Sequence, residues 1–391
     1  MQQNVDIGSV SKNAETELNT NPAKMGKGFR TIELVTRLVF AVVMRFWKLC
    51  TTAVLILLLA FWMTGGVVTF LLLIFALVGL FYNAQDMLLY YPDQPPQSRL
   101  FVQLPNTVNL PYENHFIRTS DNVRINVVLI KHTHANAPTV VYFHGNAGNI
   151  GHRLINSHGF FTSCGVNVLL VEYRGYGKSE GSPSETGLYR DAEAAINFLL
   201  GRNDINRDKI VVFGRSLGGA VAVWLASQPF YAQHIAALVI ENTFTSLPDI
   251  GRTIFKIKLM DLVPELLFKH KYPSIERIKK ISLPTLFISG QADDLIPPKM
   301  MTKLHQMSGS GMKRIHRFEQ GSHNETWMCS GYYEAFLQFL RDVSFPFDKV
   351  LNILQKYLFL QVIQAKAAGV VQEQNRPIVN NFTPDPNMTQ V

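Results

Sequence analysis

From Leu49 to Gln85 the chain runs 37 residues without a charged side chain, and Leu, Ile, Val, Phe and Ala dominate the stretch. A bilayer core takes about 20 apolar residues in helical form. A buried helix of a water-soluble domain rarely goes so far without one charge, and a cleaved leader would start nearer residue 1 and use a shorter apolar stretch. The run therefore predicts a membrane-spanning segment over residues 49–85. Gly65-Gly66 divides it into Thr51–Thr64 and Val67–Tyr82. Neither part reaches the roughly 17 residues of a spanning helix, so one tilted or kinked helix is expected, with a hairpin about the glycines as the alternative. Tyr90 and Tyr91 follow as an aromatic interface belt would. Pro92, Pro95, Pro96, Pro105 and Pro111 make residues 86–112 a short, stiff tether.

Between residues 113 and 342 the pattern changes to short β-branched runs alternating with helical stretches. Strands are predicted at Arg124–Ile130, Thr139–Phe143, Asn167–Glu172, Lys209–Phe213, Ala236–Ile240, Thr285–Ile288 and Arg314–Phe318, and helices near 152–163, 185–201, 217–228, 298–307 and 331–342. Several strands are almost wholly apolar, as in Val211-Val212-Phe213. Strands buried on both faces with helices between them imply a mostly parallel, doubly wound α/β sheet. Residues 1–30 are polar, and residues 31–47 mix Val, Phe and Leu with Arg37 and Arg45, as an interfacial helix would. After residue 342 a possible amphipathic helix, Asp348–Ala367, spaces Leu351, Leu354, Leu358, Val362 and Ala365 along one face, and a Gln-, Asn- and Pro-rich tail expected to be disordered follows it. The expected organisation is thus 1–48, 49–85, 86–112, 113–342 and 343–391.

Composition sharpens this picture. The 26 Phe, 13 Tyr and 4 Trp supply ample core, and three cysteines exclude a disulfide framework. The formal charge of +8 suits either a nucleic acid or an anionic membrane surface. The excess lies largely beside the span and no nucleic-acid motif accompanies it, which favours the membrane. Arg30, Arg37, Arg45 and Lys48 precede the run, whereas the first 20 residues after it hold only Arg99. That asymmetry predicts a cytoplasmic N-terminus and a single-pass type II signal-anchor, with everything after residue 86 on the far side. A hairpin would reverse this. On the far side the sequons at Asn324, Asn381 and Asn387 would be open to glycosylation, Asn381 and Asn387 most readily.

Four motifs carry the chemistry. Gly214-Arg215-Ser216-Leu217-Gly218 sits between a predicted strand and a predicted helix, which is the context of a nucleophile elbow. The turn is sharp and needs small neighbours, and it lifts the Ser216 hydroxyl to a helix N-terminus that favours developing negative charge. His144-Gly145-Asn146-Ala147-Gly148-Asn149 follows Thr139–Phe143 and can aim N–H groups at an oxyanion, those of Asn146 and Leu217 being the expected pair. Read alone it could be a plain turn or a phosphate cradle, but no Lys follows with P-loop spacing. Gly290-Gln291-Ala292-Asp293-Asp294 ends another strand and offers a carboxylate to orient a histidine. Asp293 has the favoured spacing, and Asp294 and Glu241 remain alternatives. Of 11 histidines, His323 in Gly321-Ser322-His323-Asn324 follows the last predicted strand and completes the order Ser216, Asp293, His323.

Together these motifs resemble the α/β-hydrolase superfamily. The longer stretches HGNAGNIGHR at 144–153, EYRGYGKSEG at 172–181, FGRSLGGAVA at 213–222, ENTF at 241–244 and LIPP at 295–298 resemble the membrane-anchored α/β hydrolase domain-containing members over residues 49–342. The resemblance implies a serine hydrolase with a signal-anchor, needing no metal or cofactor, among relatives that include protein depalmitoylases and lysophospholipases. One departure is that depalmitoylating relatives often carry a lipidated N-terminal cysteine cluster, whereas only Cys50 lies near this end. The segment Thr245–Ser282 is the usual place for a lid. It is apolar at Ile254, Leu259, Met260, Leu262, Leu266 and Phe268 and basic at Lys256, Lys258, Lys269 and Lys271. An acylated substrate already in the membrane is the expected partner, either a palmitoyl thioester on a protein or a lysophospholipid ester. The alternative of another class is a catalytically silent hydrolase fold that binds a partner.

Overall fold

The computed structural model describes residues 27–133, 136–255 and 263–343. The possible helix Asp348–Ala367, the sequons at Asn381 and Asn387, and lid residues 256–262 lie outside them. The chain divides into two compact units: residues 1–336, which hold both apolar helices and the whole sheet, and the residues from 337 on.

One eight-stranded sheet organises the domain. Its strands are β1 Tyr112–Arg118, β2 Arg124–Ile130, β3 Thr139–Phe143, β4 Asn167–Val171, β5 Ile210–Arg215, β6 Ala237–Glu241, β7 Thr285–Gly290 and β8 Lys313–Phe318. They lie in the order β1-β2-β4-β3-β5-β6-β7-β8. β1 and β2 pair antiparallel at one edge, and β4 through β8 run parallel. The helices α3 Leu154–Cys164, α4 Glu185–Leu200, α5 Leu217–Ala226, α6 Pro229–Ala232, α7 Leu247–Phe255, α8 Ser274–Arg277 and α9 Pro298–Met307 lie in the connections between strands, and α10 Tyr332–Asp342 follows β8. β3, β4, β5, β6 and β7 are buried at every position, as two covered faces require. β1 was not predicted from the sequence because it is an edge strand of alternating partly buried and exposed residues with Glu113, Asn114 and His115 among them. Such a strand gives no apolar run to detect.

The uncharged run is not one helix. It belongs to two, α1 Lys27–Thr64 and α2 Gly66–Leu89, which break at Gly65, whose φ is +79°. Met44–Met63 and Gly66–Leu89 are each long and apolar enough to cross a membrane. Helix does not stop where charge begins. α1 takes in Arg45 and Lys48 at the start of its apolar window, and α2 continues past Gln85 through Asp86. Within the expected tether, residues 86–112, several residues are bonded to the domain. Tyr90 is buried, with its hydroxyl 2.8 Å from that of Tyr272, Tyr91 forms a β-bridge with Ala147, and Asn149 Nδ2 donates to the carbonyls of Ser98 and Phe101.

Parallel pairing sets Phe143 of β3 beside Gly214 of β5, so the loops after these strands emerge together at the carboxyl edge of the sheet. The crossing is tight. A Cβ on Gly218 would lie 2.0 Å from the carbonyl oxygen of Phe143, whereas one on Gly311 would meet nothing within 4 Å. Gly218→Val is therefore expected to lower stability by at least about 2 kcal/mol, while Gly311→Ala changes it by less than about 0.5 kcal/mol. Chemical denaturation of the two variants checks this pair.

Candidate active site

Ser216 occupies the one-residue turn between β5 and α5, at φ +56° and ψ −121°, a conformation side chains rarely adopt. Its N–H donates to the Glu241 carbonyl at 2.9 Å, and its own carbonyl accepts from Gly219 N at 2.9 Å and Thr243 Oγ1 at 2.7 Å. The turn is thus tied to β6 on one side and to the first turn of α5 on the other. The side chain stands at the N-terminus of α5, where backbone N–H groups have no intrahelical acceptor.

The structure brings Ser216, His323 and Asp293 into one hydrogen-bonded line. His323 Nε2 lies 3.1 Å from Ser216 Oγ, and His323 Nδ1 lies 2.8 Å from Asp293 Oδ2. Asp293 is held by N–H donors from Leu295 at 2.9 Å and Ile296 at 2.7 Å on its other oxygen. Asp294, its neighbour, is exposed. Glu241 is fully buried but turned away. Its Oε2 accepts from Tyr332 Oη at 2.5 Å, Oε1 faces Arg215 at 4.0 Å, and burial pushes the carboxyl above its usual range. Of the three carboxylates weighed from sequence, Asp293 alone bonds His323.

The loop after β3 sits over this line. Gly145 lies close enough that a Cβ there would come within 3.5 Å of Ser216 Cβ. Asn146 is fixed at both ends. Its carbonyl accepts from Tyr91 N at 2.9 Å and Tyr176 Oη at 2.8 Å, and its side-chain amide donates to the Leu89 carbonyl at 3.0 Å. His144 does not point at Ser216. Its Nδ1 faces the Gly145 carbonyl at 2.7 Å and its Nε2 faces the buried Glu172 carboxylate at 3.3 Å. Burial lowers its basicity against the pull of Glu172.

A pocket of about 390 Å³ opens beside Ser216, Leu217 and Asn146. Phe244, Leu247, Ile250 and Ile254 form one side, Phe268 and His270 another, and Phe81, Gln85, Leu88 and Leu89 of α2 a third. The volume falls within the usual range for a small-molecule site. Among the described residues no group of three or more His, Cys, Asp or Glu side chains is placed to hold a metal ion.

Asn242 was not singled out from sequence as part of this site. Its Nδ2 donates to the carbonyls of Ser322 and His323, both at 3.1 Å, and to Thr326 Oγ1 at 2.9 Å, while its Oδ1 accepts from Gly290 N at 2.8 Å. One buried amide therefore fastens the His323 loop to the end of β7, from which Asp293 follows. Its place after β6 in Glu241-Asn242-Thr243-Phe244 was the only signal available. Arg215 acts similarly from below, donating to the Asn324 carbonyl at 3.2 Å.

The profile of the alpha/beta hydrolase fold matches residues 138–262. Protein bem46 of Schizosaccharomyces pombe is 38% identical over 274 residues, covering 69% of this chain and 90% of that protein. The chain belongs to the α/β-hydrolase superfamily. The alpha/beta hydrolase domain-containing protein WAV2 of Arabidopsis thaliana is 36% identical, covering 71% of this chain and 92% of the relative. An uncharacterized membrane protein of Saccharomyces cerevisiae is 34% identical, covering 68% and 93%. Among solved structures, a Pyrococcus furiosus esterase superposes at TM-score 0.51 with 21% identity, covering 62% of this chain and 96% of that one, which is a likeness of fold.

Removing the Asn242 amide leaves the Gly290 N–H buried without its acceptor, at a cost of about 1–3 kcal/mol. Ala in the same left-handed backbone, φ +44°, adds roughly 1 kcal/mol. Asn242→Ala is expected to show both as a lowered denaturation midpoint, with faster amide exchange at Gly290 than at Val140 in β3.

Proposed function

We propose that the protein is a membrane-anchored serine hydrolase that cleaves long-chain acyl thioesters, palmitoyl groups on proteins in the first place, with lysophospholipid esters as the second reading. The observation that carries the proposal is the line Asp293–His323–Ser216 ending in an apolar pocket. In this reading His323 Nε2 takes the Ser216 proton as Oγ attacks the acyl carbonyl, and Asp293 holds the imidazole tautomer and stabilises its cation. The N–H groups of Asn146 and Leu217 receive the developing oxyanion, each worth roughly 10²–10³ in rate. His323 then protonates the leaving sulfur or oxygen, and the same base activates the water that frees the acyl group and restores Ser216. An intact line argues against a silent, binding-only relative, which would have no need to keep all three groups in register.

The large apolar side chains of α1 and α2 are mostly exposed, among them Leu55, Phe61, Trp62, Val67, Phe70 and Phe75. Two apolar helices so uncovered need a nonaqueous surrounding. In this reading two crossings bring the chain back to the side on which it began, and the Lys and Arg residues before Met63 support a cytosolic assignment of that side. The break at Gly65 thus favours the hairpin over the single type II crossing. In the hairpin reading the pocket faces the compartment where acylated peripheral proteins are found, which supports the thioester.

Three outcomes are expected. Ser216→Ala abolishes labelling by a fluorophosphonate probe in a protein that still folds; persistent labelling removes Ser216 as nucleophile. Asp293→Asn lowers kcat about 10⁴-fold, as loss of the correct tautomer does, while Asp294→Asn leaves it within about twofold, since exposed loop substitutions change little; steady-state turnover of a thioester reads both. Protease added to sealed microsomes digests the hydrolase domain, and glycosidase leaves its mobility unchanged. A glycan shift with protease protection would instead establish one crossing.

A further inference from the structure

The end of α2 is built into the pocket and not merely tethered near it. Gln85 Nε2 donates to the Leu267 carbonyl at 2.8 Å, and Gln85 Oε1 accepts from Lys269 N at 2.8 Å. Asp86 pairs with Lys269 Nζ and with His270 Nε2, each at 2.5 Å. The ring of Phe81 packs edge-on against Phe268, and Asn146 Nδ2 holds the Leu89 carbonyl. Every polar side chain in the last two turns that faces the domain is therefore partnered, which fixes the helix against the residues around Ser216.

Length then sets the depth of the pocket. A bilayer's hydrocarbon core is about 30 Å thick. The segment Gly66–Leu80, ahead of the first pocket-lining residue, rises about 22 Å at 1.5 Å per residue. If α2 crosses the membrane, Phe81 still lies within reach of the acyl chains, and the polar Gln85 and Asp86 come at the headgroup level. Phe81 and Leu88 line the same pocket as Ser216.

We infer that the wall formed by Phe81, Gln85 and Leu88 is a lateral port, through which a long acyl chain passes from the leaflet to Ser216 without crossing water. The inference rests on the hydrolase reading above and deepens it. It names the substrate class as a long-chain acyl ester or thioester held in one leaflet, and makes α2 a specificity-determining element. A water-soluble short-chain ester gains nothing from this wall. A phospholipid-derived ester and a lipid-modified peptide share the same chain and use the same port.

The test uses the full-length chain reconstituted in phosphatidylcholine vesicles. Hydrolysis is compared for palmitoyl lysophosphatidylcholine, for a palmitoylated cysteine peptide, and for a soluble acetyl ester. For whichever palmitoyl substrate is cleaved, rate follows its mole fraction in the vesicle and not its bulk concentration. Leu88→Trp, which fills the port, lowers the palmitoyl-to-acetyl ratio of kcat/KM at least about tenfold, the scale on which one or two methylenes discriminate. Phe81→Ala, which widens it, shifts the preferred chain length upward. Leu73→Trp, on the exposed part of α2 outside the pocket, leaves the ratio unchanged. An unchanged ratio in Leu88→Trp and an unchanged chain-length optimum in Phe81→Ala, with both variants labelled at Ser216 by fluorophosphonate, overturn the port and spare the hydrolase reading. Cleavage of neither palmitoyl substrate by labelled wild-type protein also overturns the port. Failure of the wild type to label at Ser216 overturns both.

Discussion

The strained conformation of Ser216 is the constraint on which the rest depends. A non-glycine residue at φ +56° and ψ −121° costs on the order of 1–3 kcal/mol, and it persists because surrounding structure leaves no alternative. β6 accepts its N–H, Thr243 holds its carbonyl, and the backbone of β3 closes so tightly on the turn that only glycine fits at 218. Relaxing that residue would move Oγ out of reach of His323 and the α5 N-terminus off the pocket. The parallel pairing of the central strands, with Phe143 beside Gly214 and Arg215 beside Glu241, is what allows the loops after β3, β5, β6, β7 and β8 to meet at that point.

Much of this was legible in the sequence. β2 and β3 were predicted to the residue and the other predicted strands within a residue or two. For β3 to β7 this is because strands covered on both faces are written as apolar runs, whereas β8 is a partly exposed edge strand carrying Lys313, Arg314 and Arg317. Ser216 and Asp293 could be picked out because each follows such a run in a recognisable turn, and His323 because it follows the last predicted strand and completes the order Ser216, Asp293, His323. What escaped detection depended on long-range partners. Asn242 joins residues 48 to 84 positions away, and nothing in its own neighbourhood records that. β1 is half exposed and polar, so its strand character comes from pairing with β2.

The apolar N-terminal region illustrates the same limit differently. Counting uncharged residues placed the end of the span at Gln85, yet α2 runs on to Leu89 because Gln85 and Asp86 are satisfied by the domain rather than by water. A polar residue near the end of an apolar helix therefore marked a contact surface here, not a boundary. The residues after it, which proline content suggested were a spacer, fasten the Asn146 loop through Tyr91 and Gln94. The end of α2, the Asn146 loop and the pocket form one bonded assembly.

The central claim is that Ser216 carries the acyl group. The most direct measurement is acid quenching of the full-length protein during turnover of a palmitoyl thioester, followed by peptide mapping of the trapped adduct by tandem mass spectrometry. The account predicts a palmitoyl ester on Ser216, increased in amount when deacylation is slowed. An adduct on Cys50, Cys164 or Cys329, or hydrolysis with no covalent intermediate at Ser216, would contradict it.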